Sequence, residues 1–260
     1  MKKEELESIL RTKTQQETAD YFGVHLATVK RFIKRYGILY NKKSGGHFEY
    51  KNKPLNPELK LTKQQSDIIS GCLLGDGFIL KTNVFRIKQK STHQKYVEYL
   101  HRMFEYFVTP IRTDKARKPS RIEGKVSHRL EDWNGDYCYS TSFTTRKHPV
   151  FTALRQKWYP NDKKIVPSDL KLNEEVLTHW YLQDGCHNKQ RNYYKFSTQS
   201  FSENEVENLC KLLNAKFGIQ SEVQQQTGKP IIMITKSKGE DVLQDIFKNT
   251  IDFKCFQYKI

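Results

Sequence analysis

Two nine-residue segments of this chain end alike, "ISGCLLGDG" at 69–77 and "LTHWYLQDG" at 177–185, placing Asp76 and Asp184 108 residues apart (184 − 76). A chain that writes one helix ending twice is constrained to build two similar units and to find a place for both acids. Before the first ending, Thr62 and Gln65 form a capping box, and Ile68, Ile69, Leu73 and Leu74 recur at helical spacing. This predicts a helix over about 63–75 that stops at Gly77. Before the second, Asn173 suits an N-cap, Glu174 and Glu175 suit a first turn, and Gly185 ends the helix. Each Asp-Gly therefore lies at a helix C-terminus, where partial negative charge already accumulates. Two such carboxylates brought together repel, and a divalent cation, which takes carboxylates and backbone carbonyls as hard oxygen ligands, relieves the repulsion.

The segments downstream of the two endings also repeat. After Gly77 come the strand-like runs "FILK" and "VFRIKQK", then the amphipathic "HQKYVEYLHRMFEYF"; after Gly185 come "YYKFSTQS" and "ENEVENLCKLLNAKFG". Later strands are expected in "DYCYSTSFTT", "SEVQQQ" and "IIMITKS", and closing helices near 150–156 and 240–247. The ends "NDKKIV" around Lys164 and "FQYKI" around Lys259 echo each other. Residues 61–260 thus read as a tandem duplication of αββαββα halves, about 61–168 and 169–260.

The first 60 residues read differently. Thr14 followed by Glu17 signals a helix start, Ala19 and Phe22 face inward, and Gly23 provides a tight turn. Val24, Val29 and Ile33 continue as the apolar stripe of a second helix, the pattern of a helix-turn-helix within a small all-α domain, 1–43. Its polar positions His25, Thr28, Lys30, Arg31 and Lys34 are candidates to meet bases and phosphates in a major groove. "NKKSGGHFEYKNKPLNPELKL" loses apolar periodicity and reads as a linker over 44–60.

Composition narrows the partner. With 45 Lys and Arg against 29 Asp and Glu, the net charge is +16, a balance that suits a polyanion and most often nucleic acid. No run approaches a membrane span, and "MKKEELESIL" has no apolar signal core, so a cytoplasmic or equivalent non-secreted compartment is expected. Five scattered cysteines without a C-x-x-C pair argue for buried thiols rather than a zinc site or disulfide framework.

The paired motifs, the repeated strand–helix order and "WYPNDKKIVP" before the second motif resemble the LAGLIDADG homing endonucleases, in their two-motif, single-chain branch. The resemblance covers 61–260 and implies an α+β fold: a pseudo-symmetric saddle with the two motif helices side by side and two curved sheets in the DNA major groove. It implies site-specific cleavage of both strands of double-stranded DNA, as in intron homing, by metal-assisted phosphodiester hydrolysis. Asp76 and Asp184 take the positions of the acidic Mg²⁺ ligands, with the carbonyls of Gly75 and Gln183 as further ligands. Gln89 in "RIKQK" and Gln199 in "FSTQS" fit the water-positioning glutamines, if the second hairpin carries a two-residue insertion; they also read as ordinary strand-surface residues. Lys164 and Lys259 match active-site lysines, or else phosphate contacts. Exposed alternate strand residues are candidates for DNA contact: Lys81, Arg86, Lys88 and Lys90 in the first half, Lys189, Arg191, Lys195, Gln224 and Gln226 in the second.

One departure concerns the helix pair. The first motif offers small residues Ser70, Gly71 and Gly75, whereas the second has His179 and Trp180 with only Thr178 small. Either the first helix's smallness suffices, or the helices sit farther apart. One chain supplies both halves, so a monomer is expected. Two other readings share the scaffold: a maturase that binds host intron RNA, and a regulator that binds DNA without cutting. The helix-turn-helix leans toward DNA, because the major groove of A-form RNA is too narrow for a helix, and the two retained acids lean toward catalysis.

Overall fold

The computed structural model describes residues 3–12, 15–36, 55–117, 137–235, 239–250 and 254–259. The chain divides into two compact units, Met1–Pro54 and Leu55–Ile260.

In the first unit α1 (Lys3–Thr12), α2 (Gln15–Tyr21) and α3 (Leu26–Tyr36) close around Leu6, Leu10, Ala19 and Val29, with Phe22, Val24, Leu26 and Ile33 packed against them. Gly23 adopts a left-handed φ of 62° between α2 and α3, and the Val24 amide reaches the Ala19 carbonyl at 2.9 Å. The second and third helices lie where the apolar spacing puts them, and α1 adds a wall that the apolar spacing at 14–38 does not announce. Thr14, expected as a cap, and the linker at 44–54 lie outside the described residues.

In the second unit the duplication is complete. The first half runs α4 (Lys63–Leu74), β1 (Phe78–Ile79), β2 (Phe85–Lys90), α5 (Gln94–Met103), β3 (Arg112–Arg117), β4 (Tyr137–Thr144) and α6 (Pro149–Trp158). The second runs α7 (Glu174–Asp184), β5 (Gly185–Asn188), β6 (Tyr193–Phe196), α8 (Glu203–Phe217), β7 (Glu222–Gln226), β8 (Lys229–Thr235) and α9 (Glu240–Thr250), then a 3₁₀ turn, Lys254–Lys259. The strand order is β1-β2-β4-β3 in one four-stranded sheet and β5-β6-β8-β7 in the other. All pairings are antiparallel. β3 and β5 are not foreseen from sequence: β3, "RTDKAR", has no apolar alternation, and β5 starts directly at the C-cap Gly185.

The caps are as the local chemistry dictates. Thr62 and Gln65 exchange side-chain-to-backbone bonds of 2.9 and 3.1 Å, and Asn173 Oδ1 accepts from the Val176 amide at 2.9 Å. Every residue of α7 from Val176 to Gln183 is buried. A helix covered all round has no polar face, and this one sits between α4 and the second sheet, with Trp180 tilted on Phe196 at 4.3 Å between ring centroids.

The question of the helix pair is resolved in favour of close packing. A Cβ on Gly71 would lie 2.5 Å from the Val176 carbonyl oxygen and 2.8 Å from His179 Cβ; one on Gly75 would lie 2.6 Å from Gln183 Cβ. Two glycines on one helix suffice to admit the bulky face of the other. His179 backs onto Gly71 and turns its ring along the interface to Tyr96, with 2.8 Å between Nδ1 and the phenol oxygen.

Candidate active site at the paired helix ends

Because α4 and α7 adjoin along their length, Asp76, just past the end of α4, and Asp184, the last residue of α7, arrive together. Asp76 is exposed and Asp184 partly exposed, yet protein surrounds both on most sides. That burial is the first cause of a raised pKa in each. In Asp184 it combines with the charge of Asp76 to push the carboxyl up to about 7. In Asp76 the rise is opposed first by a hydrogen bond from Gln89.

Two lysines answer the helix ends. Lys164 Nζ donates to the carbonyls of Gly75 and Gly77, both at 3.0 Å. Lys259 Nζ donates to those of Leu182 at 2.7 Å, Gln183 at 3.2 Å and Tyr181 at 3.4 Å. A cation on the last carbonyls satisfies orphan acceptors and opposes the helix dipole, worth up to ~2 kcal/mol where partly buried. Burial holds both ammonium groups down at about 8, while the two aspartates pull them up. Lys259 is 7% exposed, so it is a helix-end group rather than an open phosphate contact. The carbonyls of Gly75 and Gln183, expected as metal ligands, each already accept from a lysine.

Gln89 is where the strand reading puts it. Its Nε2 donates to Asp76 Oδ2 at 2.7 Å, and its Oε1 lies 3.2 Å from His93 Nδ1. His93 in turn packs against a tilted Phe256 and stacks on Tyr258 of the C-terminal turn. Gln199 is not brought to Asp184. It follows the end of β6 and donates to Gln226 at 3.2 Å. The sheet register gives the reason. Phe78 pairs with Arg86, two and ten residues beyond Asp76, whereas Gly185 pairs with Phe196, one and twelve beyond Asp184. The second hairpin is thus longer by one residue, not two. In that register the counterpart of Gln89 is Thr198, and Gln199 falls one residue beyond it, in the turn after β6. Gln89 shares its face with buried Phe85 and Ile87; the second-half counterpart face carries Tyr194, Phe196 and Thr198.

Among the described residues no group of three or more His, Cys, Asp or Glu side chains could hold a metal ion. The acidic pair therefore stands as two carboxylates. Four residues around it are not singled out by the sequence: His93 behind Gln89, and Tyr96, Cys72 and the Gln183 side chain between the helices. None has a local signal, since each acts through a neighbour on another element.

Arg86, Lys88 and Lys90 lie on one face of β2, as alternation predicts, and Asp114 of β3 sits 3.7 Å from Arg86 and 3.3 Å from Lys88. Lys81 pairs with Asp162 at 2.7 Å in the open. Lys189 and Arg191 occupy the β5–β6 turn. Lys195 reaches Gln226 at 3.4 Å, beside exposed Gln224 on β7. In the first unit Lys30, Arg31 and Lys34 lie on α3 with Thr28. His25 precedes α3, and its Nδ1 accepts from the Ala27 amide at 3.2 Å. Cys72 and Cys138 are buried thiols as expected, but Cys186 is exposed on β5. Among the described residues no helix is long and apolar enough to cross a membrane.

The LAGLIDADG DNA endonuclease family matches residues 66–242. A probable intron-encoded endonuclease of Wickerhamomyces canadensis is 31% identical over 194 residues, 69% of this chain and 77% of that protein. A cytochrome b mRNA maturase of Debaryomyces hansenii is 28% identical over 180 residues, 65% of this chain and 61% of that protein. The solved structure of the homing endonuclease I-WcaI bound to its DNA recognition sequence has the same fold: TM-score 0.66 at 24% identity, covering 86% of this chain and 96% of that one.

Proposed function

This chain belongs to the LAGLIDADG DNA endonuclease family, and we propose that it is a site-specific endonuclease that hydrolyses a phosphodiester bond in each strand of double-stranded DNA with a divalent cation, Mg²⁺ in the first instance. The observation that carries the proposal is the meeting of Asp76 and Asp184 at two adjoining helix ends, partly exposed and mutually repelling. Two hard, crowded carboxylates are a donor set that suits such a cation, and the Gly75 and Gln183 carbonyls each keep a second lone pair beside their lysine bond. Bound there, the ion supplies Lewis-acid polarisation of the phosphate and a water of lowered pKa.

The chain's own residues then divide the work. Asp76 and Asp184 hold the ion, one from each half. Gln89, held from behind by His93, orients the Asp76 carboxylate. Lys164 and Lys259 keep the helix ends in place and balance the two negative charges. Arg86, Lys88, Lys90, Lys195, Gln224 and Gln226 offer the sheet faces to DNA, with Lys81, Lys189 and Arg191 at the hairpin turns; most lysine contacts there are to phosphate. Lys30, Arg31, Lys34 and Thr28 on α3 extend the contacts as a helix-turn-helix. One chain supplies both acids, which supports a monomer acting on a long, loosely palindromic site.

Incubation of the purified chain with Mg²⁺ and a plasmid library of random inserts tests this reading. Linear product from one reproducible site, metal-dependent and absent in D76N and D184N, is expected. Library plasmids left intact with Mg²⁺ and with Mn²⁺ would overturn it. Similarity to the maturase favours one second reading, a structured intron RNA as partner. Binding to A-form RNA as tight as to the selected DNA site at equal salt would favour that reading.

A further inference from the structure

The side chain of Gln183 does not stay on its own half. It crosses from α7 into the space beside α4, where Gly75 has no side chain; a Cβ there would stand 2.6 Å from Gln183 Cβ and 3.1 Å from its Oε1. At the far side Oε1 accepts from the backbone amide of Gly77, the residue after Asp76, at 3.0 Å. Only the oxygen of an amide can accept from an N–H, so this bond sets which way the group points. The Nε2 end is held as well, donating to Cys72 Sγ at 2.8 Å and to the Tyr96 hydroxyl at 3.2 Å. Tyr96 is fixed in turn by His179 Nδ1 at 2.8 Å, and His179 Nε2 by Glu175 at 3.3 Å. The Gln183 residue is 8% exposed, so these bonds form away from water.

The crossing runs one way. Gly75 and Gln183 immediately precede the two acids, and only one of them has a side chain to send across. The Gly77 amide also reaches the Cys72 carbonyl of its own helix at 2.8 Å, so the Gln183 oxygen adds a second hold from the other half of the molecule. A backbone pinned on both sides of the helix pair has less freedom to rotate the Asp76 carboxylate away from its working place.

We propose that Gln183 is a positioning residue for Asp76, a tether from the second half that sets the first half's acid and makes the two acids inequivalent. It rests on the reading of Asp76 as a cleavage acid. The test is cleavage of an end-labelled duplex carrying the site that wild type selects, with each strand followed separately. Gln183→Met keeps the length and removes both hydrogen-bonding atoms. It is expected to slow one strand by about 10-fold or more relative to the other, so that nicked product accumulates, while DNA affinity in Ca²⁺ stays unchanged. Tyr96→Phe removes one of the two groups that hold the Nε2 end, and shifts the same ratio in the same direction by less. Equal slowing of both strands, or unchanged rates in both variants, would overturn the proposal. If wild type cuts no DNA, the functional reading fails on its own, and the tether is read in the free protein instead: the Gly77 amide proton moves upfield in Gln183→Met if the bond is real, and stays in place if it is not.

Discussion

The two acids of the site are copies in backbone and not in surroundings. Asp76 is gripped: Gln89 donates to its carboxylate at 2.7 Å, His93 stands behind Gln89, and Gln183 holds the next amide. Among the described residues, the hydrogen bonds that place Asp184 run through its backbone. Ser197 donates its amide to the Asp184 carbonyl at 3.0 Å, and Lys259 fastens the three carbonyls before it. Its carboxyl is shaped by burial and by the neighbouring charge of Asp76, which together push it up to about 7. The difference teaches which features survive a duplication. Helix, cap, strand order and a lysine on the last carbonyls recur, because the fold of each half demands them. The side-chain partners do not, because one residue more in a hairpin is enough to exchange a polar neighbour for none.

The harshest way to break the comparison is to remove each charge in turn. D76N and D184N should each abolish double-strand cleavage while binding of the selected site survives, measured by plasmid linearisation beside a gel shift. Full cutting by either variant would sink the assignment of two acids.

The glutamines sharpen the comparison next. Gln89→Ala should lower cleavage by about 10- to 100-fold, the range for a residue that orients a metal ligand. Gln199→Ala should leave the rate nearly unchanged, since its partner is Gln226. Similar losses in both would restore a symmetric pair and contradict the one-residue register difference.

A third test acts on the seam between the halves. Gly71→Ala places a Cβ 2.5 Å from the Val176 carbonyl, so overpacking should cost roughly 1–3 kcal/mol in denaturant unfolding of the chain. The seam is then held by close approach of α4. An unchanged midpoint would mean the helices separate at little cost.

The test most specific to Asp184 is one of pH. Its folded pKa is raised from 3.8 to about 7, so the fold prefers the protonated acid. Without metal, its contribution is fully present below about pH 4 and is lost as the pH climbs toward 7. Lys164 and Lys259, held at about 8, keep their charge through that window. Thermal unfolding of wild type minus D184N should therefore fall between about pH 4 and 7 and level off above; a flat difference would place Asp184 in a more solvated setting.

Much of this architecture was legible in the chain. Capping residues at Thr62 and Asn173, helical spacing at Ile68, Ile69, Leu73 and Leu74, and the terminal Asp-Gly pairs are local signals, set by hydrogen-bonding needs and by the helical period. They determined two motif helices, two matching halves, the basic strand faces and the acids themselves. The tertiary structure decided what depends on partners far apart in sequence. Only packing could say that Gly71 and Gly75 make room for His179 and Gln183, that Lys259 points into a helix end rather than outward, and that a ring nitrogen of His25 accepts from the Ala27 amide. Only pairing could count the second hairpin and set Gln199 one residue beyond the counterpart of Gln89. A period of two makes a strand's face hang on a single residue, and a turn of Lys, Gln, Arg and Asn at 189–192 carries nothing that marks its length in advance.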